Sequence, residues 1–527
     1  MDLKETLQQS AAWRQWEDVA IKNHHGIVIP LFAIHSKNSC GIGEYLDLIP
    51  LIDWCKSVGM DIIQLLPLND TGMDKSPYNA LSAYALNPIH ITIHAIKGIE
   101  TTPGYHELFS QLQQLNKRSH IDYRKVREYK TRLLKAYYHR HHNSITKTAG
   151  YQQFLAKNSW ATNYALFKTL KEINSWQHWE CWPQAMKTPS EQEYKQLLDE
   201  HKDPVRFHLF VQYCCYNQLK KVKEYASANN FLIKGDIPIL LSKDSADVWE
   251  KRELFFLDLS AGAPPDFYNQ EGQSWGFPVY NWEEMEKQGY CWWKQRLEVA
   301  ENFYHTYRID HIVGFFRIWT IPPGKTAKEG KFFPEEESIW IAHGKKIMLM
   351  MLDSSLMLPI GEDLGVVPND VRSSLKELGI CGTKVMRWER YWEEDQRFIP
   401  PDKYIPESLT TVSTHDADTL VLWWKDFPEE AKAYCLYKQW EYNTILSYEK
   451  LKDILKESHH THSLFHINLL NEYLSLFPHL VHKNPEDERI NIPGKILERN
   501  WSIRFVPSVE EITADKALHK AVRDVVK

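Results

Sequence analysis

The hydrophobic positions of this chain fall into short runs set between longer segments with helical spacing. Seven runs have the length and apolar content of buried strands: "GIVIPLFAIH" (26–35), "MDIIQLLPLND" (60–70), "FLIKGDIPILL" (231–241), "TYRIDHIVGFF" (306–316), "MLPIGEDLG" (357–365), "GTKVMRW" (382–388) and "LTTVSTHD" (409–416). Helix-like stretches lie between them, among them 43–58, 290–305, 341–356 and 367–378. Strands alternating with helices build a parallel sheet with crossover helices. Seven such strands, with an eighth to be found in the C-terminal third, predict an α/β fold of the (β/α)8 TIM-barrel type. The glycine fingerprint that an open dinucleotide-binding sheet carries after its first strand is missing.

Two intervals are too long for plain crossovers. Residues 70 to 230 form a charged, aromatic, mostly helical insertion, and 242 to 289 are loop-like and rich in Pro, Gly and aromatics. The sequence therefore reads as a single catalytic domain over 1–527. Its barrel core lies at about 26–69, 231–241 and 290–505. A helical subdomain at about 70–230 and a loop subdomain at about 242–289 are built onto the C-terminal face, where long barrel loops form sites.

Composition narrows the partners. The chain has 527 residues and a formal net charge of −6, which argues against nucleic acid as the main partner. The N-terminal stretch has no apolar signal core, and no run has the length of a membrane helix, so a soluble, cytoplasmic protein with no membrane partner is expected. Eight scattered cysteines without a C-x-x-C pair read as reduced structural thiols. The 20 Trp and 26 Tyr mostly serve packing, but such rings also stack on the C–H face of a sugar. Trp13 and Trp16 sit on an amphipathic helix expected to pack on the barrel.

Arg308 and Asp310 interrupt an apolar run in which an unpaired carboxylate is costly to bury. Other strand ends carry acids too: Asp236 on the third, Glu362 and Asp363 on the fifth, Asp416 on the seventh. In a parallel barrel these ends face one mouth, so carboxylates far apart in sequence converge. One alone is as easily a helix cap or a structural pair; several at corresponding positions point to chemistry. Arg308, two residues before Asp310, faces the same way and keeps it ionised, as a nucleophile at a sugar's anomeric carbon requires. Glycosyl chemistry needs a second, protonated carboxyl group, and Glu362 is the candidate. Asp416, with His415 beside it, is placed to hold sugar hydroxyls and steady a cationic transition state.

The motifs "SPY" (76–78), "GDIPI", "GAPPD…GQ.WG.P.Y", "RIDH..GFFR.W.IP", "GEDLG", "STHDADT" and "INIPG…NW" (490–501) stand in the order found in 4-alpha-glucanotransferases (amylomaltases, or disproportionating enzymes). The resemblance runs from about residue 26 to about residue 505. It implies Asp310 as nucleophile, Glu362 as general acid and base, and Asp416 as transition-state stabiliser. It implies that Arg308, His311 and His415 hold the nucleophile and the sugar, and that Tyr78 stacks on that sugar. Asp266, Tyr268 and Trp275, in a mobile acceptor-side loop, are implied glucan contacts, and Asp236 a residue that shapes the site. The substrates implied are maltooligosaccharides, maltose and glycogen- or starch-type glucan, handled without cofactor or metal by a monomer or homodimer.

The expected reaction is a retaining double displacement, with the two carboxyl groups about 5–5.5 Å apart. A plain alpha-glucan hydrolase and a non-catalytic glucan-binding protein are the alternatives that share these residues. Phe277 and Ala417 stand where the family commonly has Asn. "GFFRIWTIP" (314–322) is closer to the cytosolic plant-type branch, whose starch-binding modules have no room ahead of a first strand near residue 27. The histidine-rich stretches 137–144 and 458–463 read as solvated polar segments and not as metal sites.

Overall fold

The computed structural model describes residues 2–265 and 270–527. Eight parallel strands form its centre: β1 (His24–Ile29), β2 (Ile62–Leu65), β3 (Leu232–Ile237), β4 (Thr306–Ile309), β5 (Leu358–Gly361), β6 (Gly382–Val385), β7 (Ser408–Thr411) and β8 (Phe465–Leu469). Their order in the sheet is β5-β4-β3-β2-β1-β8-β7-β6. The ring is completed by a parallel bridge between Ile360 and Cys381, where the Gly361 N–H donates to the Cys381 carbonyl at 2.7 Å. This is the predicted (β/α)8 barrel.

Most of the strands are buried on both faces, which is why they read as nearly continuous apolar runs. β8, "FHINL", escaped that pattern. Its outward residues are His466 and Asn468, which find partners in Ser458 and Tyr473 behind the barrel wall. The run 306–316 is strand only to Ile309, and its remainder turns into a short 3-10 helix, Ile312–Phe315. Close approach fixes some composition. A Cβ at Gly235 would lie 2.3 Å from the Tyr304 ring.

The four barrel helices anticipated above occur as Leu48–Ser57, Cys291–Glu301, Glu337–Ser354 and Asn369–Leu378. Residues 70–230 contain seven α-helices, the last of which, Lys202–Ala228, returns the chain to β3 and packs on Leu48–Ser57. A small antiparallel sheet combines Ser260–Ala263 and Gln273–Ser274 with Ile318–Ile321 and Lys331–Phe333. It therefore draws half its strands from beyond β4, from a segment the sequence reading gave to the barrel.

Trp16, on the N-terminal helix Trp13–Val19, is fully buried and donates its indole N–H to the Gly379 carbonyl at 2.9 Å. The histidine stretches need correction. Residues 137–144 lie within one long helix, Tyr123–Ile145. His459 is buried, with Nδ1 2.9 Å from His25 Nδ1 and Nε2 2.5 Å from the Tyr473 hydroxyl. Both escaped because composition alone does not reveal the helical face or the barrel wall behind a polar stretch. Among the described residues no group of three or more His, Cys, Asp or Glu is placed to hold a metal, and no helix is long and apolar enough to cross a membrane.

Candidate active site

Asp236 on β3 and Arg308 on β4 are register partners, so their side chains leave the sheet side by side. One terminal nitrogen of Arg308 donates to both Asp236 carboxylate oxygens, at 2.9 and 3.0 Å. The other lies 2.9 Å from Asp310 Oδ1 and 3.7 Å from Glu362 Oε2. A single guanidinium thus organises three carboxylates. Those last two oxygens are no farther apart than the two distances laid end to end, the bottom edge of the inverting range of about 6.5–9.5 Å.

Glu362 follows β5 directly. Its backbone N–H donates to the Ile309 carbonyl at 2.9 Å, which ties the end of β5 to β4. His311 takes a left-handed conformation (φ 44°), unusual for a non-glycine residue, and turns its own N–H onto Glu362 Oε2 at 2.8 Å. Burial pushes the Glu362 carboxyl up to about 7; Arg308 opposes this and the negative charge of Asp310 reinforces it.

Asp416 lies beyond β7, held by the Asn491 side-chain amide at 2.7 Å and by His415 Nε2 at 3.3 Å. Burial works against its charge, but His415 and Asn491 prevail and hold its carboxyl at about 2. Burial likewise disfavours the His415 cation, yet Asp416 beside it keeps His415 above the usual histidine value. Tyr78 joins the two halves of the site. Its hydroxyl donates to Asp236 Oδ2 at 2.8 Å and lies 2.9 Å from His415 Nε2, and its ring stacks on His415 with centroids 5.5 Å apart. With the hydroxyl proton given to Asp236, His415 is the donor in that pair.

Tyr78 arrives on the loop after β2, and Asp70 fixes that loop. The Asp70 carboxylate accepts from the Gly72 N–H at 3.0 Å, from the Tyr164 hydroxyl at 2.5 Å and from the Lys168 ammonium, the last two on helix Trp160–Ile173 of the insertion. Trp275, directly after the strand Gln273–Ser274 of the small sheet, meets His311 edge-on with centroids 5.1 Å apart. Asp310, Glu362, Asp416, Tyr78, Asp236, Arg308, His311, His415 and Trp275 are therefore linked in one cluster. Asp266 and Tyr268 lie outside the described residues.

Sequence reasoning missed Asn491, Arg489 and Trp501 as members. Arg489 donates to the carbonyls of Asp416 and Asn491, each at 3.2 Å, and pairs with Asp418. Trp501 lies beside both Tyr78 and His415, at 5.7 and 5.8 Å between centroids. The signal was present in "INIPG…NW", but that motif was not resolved into individual roles.

A (β/α)8 barrel that gathers an arginine-held aspartate, a proton-retaining glutamate and a third, strongly acidic aspartate at its C-terminal mouth has the arrangement of a glycoside-processing enzyme. Comparison with known proteins narrows the class. Residues 29–508 match the family described as 4-alpha-glucanotransferase, and the chain belongs to that family. It is 43% identical to a 4-alpha-glucanotransferase of Chlamydia pneumoniae, over 100% of this chain and 99% of that protein. It is 25% identical to the 4-alpha-glucanotransferase DPE2 of Oryza sativa subsp. japonica, over 95% of this chain and 69% of the rice protein. The amylomaltase from Streptococcus agalactiae, solved in complex with acarbose, shares the fold with a TM-score of 0.83 at 24% identity, over 96% of this chain and 99% of that one.

Proposed function

We infer that this protein is a 4-alpha-glucanotransferase that moves a segment of an alpha-1,4-glucan to the 4-hydroxyl of a second glucan or of glucose. In the first step Asp310 attacks the anomeric carbon while Glu362 gives its proton to the departing 4-oxygen, leaving a glucosyl chain on the aspartate. In the second, Glu362 takes the proton of the incoming 4-hydroxyl, and that oxygen displaces Asp310. Two inversions at one carbon retain the configuration. The observation that carries the reading is the convergence of Asp310 and Glu362 on one nitrogen of Arg308, with Glu362 held near 7 and so able both to give and to take a proton.

Asp416 is assigned the stabilisation of the oxocarbenium-like transition state, since its low value keeps it negative throughout. Tyr78, His311 and His415 bind the sugar at the cleavage point, and Trp275 contributes on the acceptor side. Maltooligosaccharides, maltose and glycogen- or starch-type glucans are the proposed substrates, and the cytoplasm the proposed location. Transfer requires that water be kept from the glucosyl-enzyme, a task assigned to the small sheet and its loop.

Incubating the protein with maltotriose and resolving products by chain length tests this. A ladder of longer maltooligosaccharides with released glucose, abolished in Asp310→Asn, is expected. Shorter sugars alone, with reducing ends rising steadily, would replace transfer by hydrolysis.

A further inference from the structure

Beneath the Asp236–Arg308 pair lies a second inward-facing layer of polar side chains. Lys234, two residues before Asp236 on β3, faces the barrel interior with it. Lys234 registers with Gln64 on β2 and with Thr306 on β4. All three are buried. The Lys234 ammonium donates to Gln64 Oε1 at 3.0 Å, while the Thr306 hydroxyl meets no partner. An ammonium carries three donors, and burying it is costly unless it is well paired. Packing gives no reason for a lysine where methionine would fill the same space.

Charge gives one. Asp236 is fully buried, and burial works against its ionised form; Arg308 opposes that, Asp310 adds to it, and His415 and the Tyr78 hydroxyl favour the carboxylate. Were Asp236 protonated, one of the two oxygens that grip Arg308 would lose its charge, and the guanidinium that reaches Asp310 and Glu362 would lose its anchor. We propose that Lys234 is a positioning residue: its buried positive charge holds Asp236 as a carboxylate from below, and through Asp236 it fixes Arg308 against Asp310 and Glu362. The proposal rests on the transferase reading of the same site.

The charged and titratable groups facing Lys234 are Arg308 from β4, Asp236 from its own strand, and Cys381 at the entry to β6. Burial, joined by Arg308, lowers the Lys234 ammonium to about 7, while Asp236 and Cys381 work in its favour. The supporting charge is thus present below about 7 and fades above it, so the lysine matters on the acid side.

The test is the pH profile of kcat for maltotriose disproportionation, measured for the parent, Lys234→Met and Lys234→Gln. In both variants the acid limb is expected to move up by about one pH unit, so that at a given pH well down that limb transfer falls about tenfold, while the curves converge above about pH 8 with KM nearly unchanged. Lys234→Arg, which keeps the charge, is expected to retain the parent limb. A lysine that only fills space would alter the unfolding midpoint and leave the limb in place; superposed normalised profiles overturn the proposal. A 13C titration of labelled aspartates, with Asp236→Asn identifying the signal, reads the same linkage without turnover. An Asp236 titration unmoved in Lys234→Met overturns the proposal as well. A moved one in a protein that transfers no glucan would sustain the linkage and sink the transferase reading alone.

Discussion

The backbone N–H of His311 donates to Oε2 of Glu362, the same oxygen that faces Arg308. Both contacts favour negative charge on Oε2, which leaves Oε1 to carry the proton. The left-handed turn at His311 thus aims the acid as well as ending the strand that delivers Asp310. Removing the proton-carrying group should be severe. Glu362→Gln is expected to lower kcat by about 10²–10⁴, the range for loss of general acid–base catalysis. In the parent, kcat/KM should decline as pH rises through about 7, because the acid is then deprotonated when substrate arrives. A kcat/KM profile flat from pH 6 to 9 would remove Glu362 from that role.

Tyr78 tests the coupling between the two halves of the site. Tyr78→Phe keeps the ring that stacks on His415 but leaves Asp236 Oδ2 without its 2.8 Å donor. A buried polar group stripped of one partner costs about 1–3 kcal/mol, which corresponds to a loss of roughly 5- to 150-fold in kcat/KM. Steady-state kinetics on maltotriose provide the measurement. An unchanged kcat/KM would mean that the hydroxyl contributes nothing to the reaction.

The helical insertion holds the site in place from a distance. Lys168 and Asp70 form a buried ion pair between that insertion and the loop carrying Tyr78. Lys168→Met leaves a buried carboxylate short of its cation and should destabilise the fold by about 3–5 kcal/mol. A raised KM should accompany the loss, since the loop is freed. Asp70→Asn combined with Lys168→Met removes the stranded charge and should recover part of the stability. Urea titrations of Lys168→Met, of Asp70→Asn and of the double variant decide the point, and additive losses would show that the two residues act separately.

Acid stability should be governed by the histidines behind the barrel wall. Burial lowers His25 to about 4 and His466 to about 3, and it holds His459 well below the usual histidine value. The unfolded chain therefore binds protons below the ordinary histidine value of about 6.5 that the folded chain refuses. Stability is complete above about 6.5 and falls with pH toward 4, by at most about 1.4 kcal/mol per pH unit for each histidine that must charge. His466→Leu should flatten the dependence of the urea midpoint between pH 6.5 and 4.5. A slope equal to the parent's would place its cause elsewhere.

These particulars show what was legible in the chain. Barrel strands buried on both faces announce themselves as apolar runs, and acids at strand ends stand out because they contradict that background. β8 did not, because His466 and Asn468 satisfy polar partners behind the wall and dilute the run. Ile318–Ile321 was not picked out as a strand, and nothing local says that its partners are Ser260–Ala263 and Lys331–Phe333 instead of the barrel. Asn491 stood inside the motif "INIPG…NW", but its own role became visible only when the fold brought it to Asp416.

Glu362 and Asp363 are chain neighbours with opposite duties. Asp363 turns away from the mouth, accepts from the Thr383 N–H at 2.6 Å, and lies so close to Gly382 that a Cβ there would come within 2.7 Å of its carboxylate. It crosses the joint between β5 and β6 where the ring meets at the Ile360–Cys381 bridge. In mechanical terms the wall is a split ring, and its clasp is a side chain one peptide bond from the proton donor. The acid is mounted on the joint itself, so whatever tightens or slackens that clasp also sets how steadily the proton is aimed.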